Sequence, residues 1–162
     1  MIDCVNLYQL PTVLGVGEVD RTLNVHMRLA QKEDAEVLER LFNEFSDCQM
    51  SRAVSIQKAI SDPNAMFLVA EIDNEIVAFV HQVFFEDPFH AGTNSLITSL
   101  FVSKIHRKHG IAANMIKKAI ENARTREVQE VHVSTRTDNT GAIRLYEKLG
   151  FRKEGVLLEM NP

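Results

Sequence analysis

The strongest chemical signal in the sequence is a short basic segment that ends in a glycine. Arg107, Lys108 and His109 precede Gly110, and an amphipathic pattern typical of a helix runs over residues 110–125. The first backbone N–H groups of a helix have no partner within it, and the helix dipole favours an anion at that end. Glycine lets a phosphate approach the backbone closely. The segment therefore predicts a site for a small anionic ligand at the start of this helix.

The kind of anionic ligand is narrowed by the patterns that this segment lacks. A P-loop requires G-x-x-x-x-G-K-[ST], and a dinucleotide fingerprint requires G-x-G-x-x-G. Gly110 fits neither pattern. An ordinary helix start with an exposed basic cap, and a nucleotide-phosphate binder of another kind, stay open as alternatives.

A second motif lies on a helix predicted over residues 139–149. Asp138 or Asn139 suits its N-cap, and Gly150 suits the left-handed position after its end. Asn139 and Tyr146 share one stripe of this helix. The neighbouring stripe is apolar and predicted to pack, and it consists of Ala142, Leu145 and Leu149. On its own this motif leaves Tyr146 open as either a core aromatic residue or a functional phenol.

Hydrophobic periodicity along the chain predicts the elements that position these motifs. Strands are predicted over residues 23–29, 66–72, 76–85, 95–102, 130–135 and 151–160, and helices over residues 32–45, 52–61, 110–125 and 139–149. Antiparallel hairpins come first and a strand–helix–strand crossover follows. We therefore expect one α+β domain with a mixed sheet over residues 23–162, preceded by an N-terminal extension of residues 1–22.

The composition excludes several classes of protein. Of the 162 residues, 45% are hydrophobic and 25% charged, which is the balance of a globular domain. The net charge of −4 speaks against a nucleic-acid partner. No apolar run reaches the length of a membrane span, and the start has no signal-peptide pattern, so we expect a cytoplasmic protein with no membrane partner. Cys4 and Cys48 are expected to be reduced thiols rather than a disulfide or zinc ligands.

The two motifs together resemble those of the GNAT superfamily of acetyl-CoA-dependent N-acetyltransferases. The family's cofactor motif [QR]-x-x-G-x-[GA] is matched by residues 107–112, and N-x-x-A-x-x-L-Y-x-x-x-G-F by residues 139–151. The resemblance implies a mixed, mostly antiparallel sheet with splayed central parallel strands, flanked by helices. It also implies a set of residues that bind acetyl-CoA: Leu100, Phe101, Val102, Arg107, Lys108, His109, Gly110, Ile111, Ala112 and Asn139.

The activity implied by the resemblance is transfer of an acetyl group from acetyl-CoA to a primary amine by direct attack in a ternary complex. Tyr146 is expected to protonate the CoA thiolate, and the backbone N–H of Phe101 or Val102 to stabilise the oxyanion. No metal is expected. The alternative is a non-catalytic CoA-sensing or interaction module on the same fold, which would bind CoA without turnover.

The sequence departs from the family where many relatives carry the general base. Thr98 and Ser134 occupy the two positions usual for glutamate. A water relayed through either hydroxyl, or a histidine, can replace the carboxylate. The candidate histidines are His81, His90 and His132, and His90 is the first choice because loops at the end of a sheet often carry acceptor-side chemistry. Lys104 also replaces a proline common in the family, with a looser turn as the expected result.

The acceptor side of the predicted site is acidic. Its acidic residues are Glu44, Asp47, Glu86, Asp87 and Glu159. They favour a cationic small-molecule or peptide amine, although a solvated acidic surface explains them equally well. The apolar residues 156–158 of the predicted last strand make a homodimer possible.

Overall fold

The computed structural model describes residues 23–46, 49–155, 157–158 and 160. The predicted extension of residues 1–22 lies outside this part, as do Cys4 and Cys48. The strands are β1 (His26–Leu29), β2 (Ala65–Ile72), β3 (Glu75–Asp87), β4 (Gly92–Val102) and β5 (Val131–Val133), and the helices are α1 (Ala35–Ser46), α2 (Ala53–Ile60), α3 (Ile111–Thr125) and α4 (Thr140–Lys148). Short 3-10 turns occupy Lys32–Asp34 and Lys104–His106.

The five strands form one mixed sheet in the order β1-β2-β3-β4-β5. The first four strands pair antiparallel, and β4 and β5 pair parallel. Asp73 and Asn74 make the β2–β3 turn with φ of 50° and 65°, the left-handed backbone that asparagine and aspartate tolerate in tight hairpins. Helix α3 provides the crossover that a parallel pair requires. The α+β class and mixed sheet predicted from the sequence are confirmed.

The two faces of the sheet carry separate apolar cores. One core joins the sheet to α3 and α4 through buried residues such as Val80, Ile97 and Met115. The other joins it to α1 and α2 through Phe79 and Leu38. Because side chains of a strand alternate between faces, neighbouring residues of β3 and β4 serve different cores. The faces are called here the α3–α4 face and the α1–α2 face.

An ionic cluster fixes the entry into α1. Arg28 of β1 bonds both carboxylate oxygens of Asp34, at 2.7 and 3.0 Å, and reaches Glu71 of β2 at 2.6 Å. The guanidinium holds the pKa of both carboxyl groups below their usual range. The cluster ties β1, β2 and the turn before α1 together.

The strand predicted over residues 151–160 is wrong for the described residues. Residues 151–155, 157–158 and 160 adopt no strand, and Leu157 and Leu158 are 77% and 88% exposed. Residues 152–154 are charged and exposed, so the segment lacks an apolar face to bury against the sheet. The homodimer envisaged through this strand therefore has no support in the described residues, and Val156 lies outside them.

No helix in the described part is long and apolar enough to span a membrane.

Candidate active site

The site is centred on a split between the two parallel strands. Pairing of β4 with β5 ends at Ile97 and Val133, while β4 itself continues to Val102 and stays paired with β3. Among the residues that the structure describes, no strand neighbours that side of β4 beyond Ile97. Its backbone groups on that side are available to a ligand, as at any unpaired strand edge.

The direction of the backbone groups in this split follows from the pairing of β4 with β3. Ser103 donates its N–H to the Val77 carbonyl at 2.9 Å. Since residues of an antiparallel strand alternate in direction, Phe101 also faces β3, and Leu100 and Val102 face the split. The expectation that the Phe101 N–H points at a reacting group is therefore wrong. Leu100 and Val102 supply the N–H groups that face the split.

A β-bulge at Thr98 sets this alternation. In the β3–β4 register, Ser99 pairs with His81 and Ile97 with Gln82, so Thr98 is the extra residue. A bulge changes which backbone groups face each neighbour and re-aims the side chains beside it. Without it, Leu100 and Val102 would face β3 instead of the split.

The predicted anion site lies at the start of α3. Gly110 has φ 76° and precedes this 15-residue helix, and Lys108 also has a left-handed φ of 69°. Gly110 is the N-cap residue of α3 and provides no side-chain cap. The backbone amides of Ile111 and Ala112 lie at the positive end of the helix dipole, without an N-cap side chain to accept from them.

Arg107 connects this helix start to the split. Its Nε donates to the Val102 carbonyl at 3.0 Å, and its guanidinium carbon lies 5.7 Å from the centre of the Phe101 ring. One of its N–H groups is therefore engaged in holding the loop against the end of β4. The sequence predicted the positive charge of Arg107 but not this contact.

The second motif begins with a capped helix. The Asn139 side chain accepts a hydrogen bond from the Ala142 N–H at 3.2 Å and donates to the Thr135 hydroxyl at 3.2 Å. Asn139 is thus the N-cap of α4, as one of the two predicted candidates. Ala142, Leu145 and Leu149 pack in the α3–α4 core, as predicted.

Tyr146 lies on the α3–α4 face, in the same core as Leu100, Val102 and Ile111. It is 8% exposed, and its ring meets that of Phe151 at 5.7 Å in an edge-on arrangement. Burial raises the pKa of its phenol above the ordinary value of 10. The hydroxyl is therefore protonated at neutral pH, as a proton donor must be.

The two positions usual for a glutamate base stand at the opening of the split. Thr98 follows Ile97, and Ser134 follows Val133, where the strand pairing ends. Both are exposed. The Thr98 hydroxyl lies 2.7 Å from Nδ1 of His81, a contact that the sequence alone did not indicate.

His90, the first choice of base, lies at the opposite end of β4. Its Nδ1 is 2.7 Å from Asp87, and its Nε2 is 3.8 Å from Glu130 at the start of β5. The distance from there to Leu100 is roughly 20 Å along the strand. Asp87 raises the pKa of His90, which favours a charged imidazole. This placement contradicts the choice of His90.

Two other side chains share the end of the sheet that holds His90. His132 is exposed there, 3.5 Å from Glu130. Glu86 accepts a hydrogen bond from Thr93, and Asp87 accepts one from Asn94. Two of the predicted acceptor-side carboxylates therefore lie at this end of the sheet and not at the split. Glu44 accepts from the Lys104 N–H at 3.3 Å, just beyond the end of β4. Asp47 and Glu159 lie outside the described residues.

Known proteins are similar to this chain in sequence and in fold. The chain is 31% identical to human N-acetyltransferase 8 over 96 residues, which is 59% of this chain and 42% of that protein. It superposes with a TM-score of 0.78 and 22% identity on a transcriptional regulator from Bacillus halodurans C-125, covering 85% of this chain and 99% of that one. A ribosomal-protein-alanine N-acetyltransferase from Brucella melitensis gives a TM-score of 0.71 at 19% identity, covering 85% and 98%.

The chain spans about half the length of the curated relatives it matches, at 42%, 49% and 51% for three of them. The two superposed structures share the fold. The family model that matches is the acetyltransferase (GNAT) family, and the match runs over residues 30–151, which contain the split strands, the uncapped start of α3 and Tyr146. The chain belongs to the acetyltransferase (GNAT) family.

Proposed function

We propose that the protein transfers an acetyl group from acetyl-CoA to a primary amine, by direct attack of the amine on the thioester in a ternary complex. The observation that carries this proposal is the split between β4 and β5, which ends beside an uncapped helix start. The split offers backbone hydrogen-bond partners to a strand-like ligand, and the helix start offers backbone N–H groups to a phosphate.

The split fits the pantetheine arm of acetyl-CoA. That arm contains amide groups, and the backbone of Leu100 and Val102 faces the split with N–H and carbonyl groups in strand geometry. Because Arg107 already bonds the Val102 carbonyl, the Leu100 carbonyl and the two N–H groups are the better partners. The backbone groups of Phe101 face β3, so no hydrogen bond to the pantetheine arm is assigned to them.

The start of α3 fits the pyrophosphate. We assign this anion to the backbone N–H groups of residues 108–112, where Lys108 and Gly110 hold the left-handed conformations that turn the loop. Arg107 and Lys108 place positive charge around it, and His109 lies between them and Gly110. Asn139 would contact the same cofactor from the start of α4, in addition to capping that helix.

The chemistry assigned to the chain's own groups is limited to two tasks. An N–H of Leu100 or Val102 stabilises the oxyanion that forms at the attacked carbonyl. Tyr146, which is protonated and in the same core as both residues, gives its proton to the CoA thiolate. The amine must lose a proton before it attacks, so the reaction also needs a proton acceptor on the amine side.

One observation favours the alternative of a non-catalytic CoA-binding module. The chain has Thr98 and Ser134 at the positions usual for a glutamate base, and neither hydroxyl is a base by itself. Against it stands Tyr146, since a pure binder has no need of a thiolate acid. The two proposals differ in turnover.

Calorimetric titration with acetyl-CoA tests the binding site. We expect micromolar binding by the wild type and a loss of at least about tenfold in Gly110→Glu, because the new carboxylate repels the pyrophosphate. Gly110→Ala introduces a side chain at the same left-handed position without charge, and so separates the effect of the side chain from the effect of the charge. Gly155→Glu adds the same charge where a new Cβ meets nothing within 4 Å, and should bind as the wild type does.

Turnover is then measured with the same proteins on lysine peptides, peptides with a free α-amino group, and aminoglycosides. Acetylation of any of these amines supports the enzyme. Binding without turnover on the whole panel supports the CoA-binding module. A folded wild type that binds no acetyl-CoA overturns both.

A further inference from the structure

His81 is an unusual residue for the middle of a sheet. It lies on β3 between Val80 and Gln82, which are both fully buried. Its ring faces the α1–α2 side, where its centre lies 5.1 Å from that of Phe67. An imidazole in apolar surroundings costs free energy unless its nitrogen atoms find partners.

Only one of its two nitrogen atoms has a partner among the described residues. Nδ1 lies 2.7 Å from the Thr98 hydroxyl, and Nε2 is buried without a hydrogen bond. The Thr98 hydroxyl also lies 3.3 Å from the carbonyl oxygen of His81, which is a second acceptor for its single proton. We assign that proton to the shorter contact, so that the Thr98 hydroxyl donates to an unprotonated Nδ1.

Thr98 carries this contact to the site. It is the bulged residue of β4 and the first residue beyond the last β4–β5 pair. Its side chain is exposed, whereas most of His81 is not. The Thr98 hydroxyl is thus the more accessible end of this contact.

The His81–Thr98 contact and Tyr146 lie on opposite faces of the sheet. His81 touches Phe67 of the α1–α2 core, and Tyr146 belongs to the α3–α4 core. In the tetrahedral intermediate of acyl transfer, the nucleophile and the leaving group are different substituents of one carbon, so separate groups can serve them. One face therefore holds a group suited to accept a proton, and the other a group suited to donate one.

We propose that His81 and Thr98 form the proton-accepting relay of the transfer reaction, with Thr98 contacting the amine and His81 taking the proton. This inference rests on the proposed acetyl transfer. It replaces the carboxylate base common in the family with a hydroxyl–imidazole pair that joins two neighbouring strands.

The relay first removes a proton from the ammonium group of the acceptor. An N–H bond of the ammonium breaks and its proton passes to the Thr98 oxygen, whose own proton moves to Nδ1 of His81. The free amine bonds to the thioester carbon, the C–S bond breaks, and the thiolate takes the proton of Tyr146. The second proton of the attacking nitrogen returns to the Tyr146 oxygen, and His81 releases its proton to solvent.

The surroundings of His81 keep it neutral and ready to accept. Burial lowers the pKa of its imidazole below the usual 6.5, and the negative charge of Asp62, after α2, opposes this shift less strongly. Phe67 and Thr98, which the ring contacts, carry no charge. His90 differs, since its carboxylate neighbours favour the charged form.

Four variants test the relay: His81→Gln, Thr98→Val, Thr98→Ser and the control His132→Gln. With acetyl-CoA and the fastest amine of the panel, we expect His81→Gln and Thr98→Val to lower kcat about 100-fold or more, the usual contribution of a general base. Thr98→Ser keeps the hydroxyl and should stay within about threefold of the wild type. His132 is exposed on β5, and its variant should be unchanged.

Two further readouts separate catalysis from folding. Calorimetry should give unchanged acetyl-CoA affinity in all four variants. The wild-type kcat should fall on acidification below pH 6.5, as His81 becomes protonated, and this fall should be missing in His81→Gln. Nitrogen NMR of the wild type should show His81 as the Nε2–H tautomer.

The outcomes distinguish the relay from the function on which it rests. If the wild type acetylates no amine, the proposed enzyme and the relay both fail. If it is active and His81→Gln keeps its kcat and pH profile, the relay alone is overturned. An Nδ1–H tautomer in the resting protein would also overturn it, because His81 would then donate to Thr98.

Discussion

The two ends of strand β4 differ in how their polar groups are paired. At the end near Gly92, Asn94 is 1% exposed and donates to Asp87 at 2.8 Å, while its oxygen accepts from the Glu130 N–H at 3.0 Å. Ser95 donates its N–H to the Glu130 carbonyl at 2.9 Å. We call this the closed end, and the split beyond Ile97 the open end.

At the open end the pairing is incomplete. Leu100 and Val102 face the split, the first amides of α3 lack a side-chain cap, and Nε2 of His81 is buried without a partner. Gln82, which bonds Ser95 at the closed end, also has a buried side-chain oxygen without a partner, so the two ends differ mainly in their backbone groups. Backbone groups that no strand pairs are available to a ligand. The paired groups of the closed end stabilise the fold, and the open end has the backbone groups to which the proposed function assigns the ligand.

The largest effect expected from this comparison is at Tyr146. Tyr146→Phe removes only the hydroxyl and leaves the ring against Phe151. We expect kcat to fall about 100-fold or more, because the thiolate then lacks its acid. Acetyl-CoA affinity and the thermal midpoint should stay near wild-type values. An unchanged kcat, measured by release of CoA, would remove Tyr146 from the reaction.

The closed end should respond in the opposite way. Asn94→Leu leaves Asp87 and the Glu130 N–H without their buried partner, which we expect to lower the free energy of unfolding by about 1–3 kcal/mol. The kcat of the folded fraction should be unchanged. Urea unfolding measures the first quantity and initial rates the second. Loss of activity with full stability would contradict the division between the two ends.

The smallest effect is a pH dependence carried by His90. Asp87 raises the pKa of His90, so their contact contributes stability that is present below pH 6.5 and is lost as pH rises through the raised pKa. His90 in turn lowers the pKa of Asp87, so that carboxylate contributes stability above its usual value of 3.8, lost as pH falls through the lowered pKa. The closed end is thus most stable between these two limits.

Thermal melting of the wild type and His90→Gln checks this window. The wild-type midpoint should decline more steeply than that of the variant between about pH 6 and 8. Parallel melting curves would show that the His90–Asp87 contact does not contribute. Acetyl transfer should be the same in both proteins, because His90 is at the end of β4 away from the split.

Most of the elements could be predicted because their signals are local. The helices over residues 110–125 and 139–149 were predicted within a residue or so, since their apolar spacing, glycines and caps are read along a short stretch. The start of α3 and the position of Tyr146 follow from the same local patterns. The final strand was wrong because apolar residues near 157 suggested a strand that has no buried face in the structure.

The choice of histidine could not be made from the sequence. Local patterns place His81 on a predicted strand and His90 in the loop that follows, and the loop position was the reason for choosing His90. No local pattern shows which of the two lies near the split. The β3–β4 register places one beside the bulge at Thr98 and the other beside Asp87 and Glu130. Register depends on pairing between residues far apart in the chain, which periodicity does not encode.

The side chains that the proposed acetyl transfer needs can be read from the sequence. They are a basic turn before a helix start, a phenol on the next helix, and hydroxyl residues in place of a carboxylate base. The tertiary structure alone decided that Leu100 and Val102 rather than Phe101 face the split, and that Thr98 meets His81. The physical reason is the bulge in β4. One extra residue reverses the direction of every backbone group after it, and only the pairing with β3 reveals that residue.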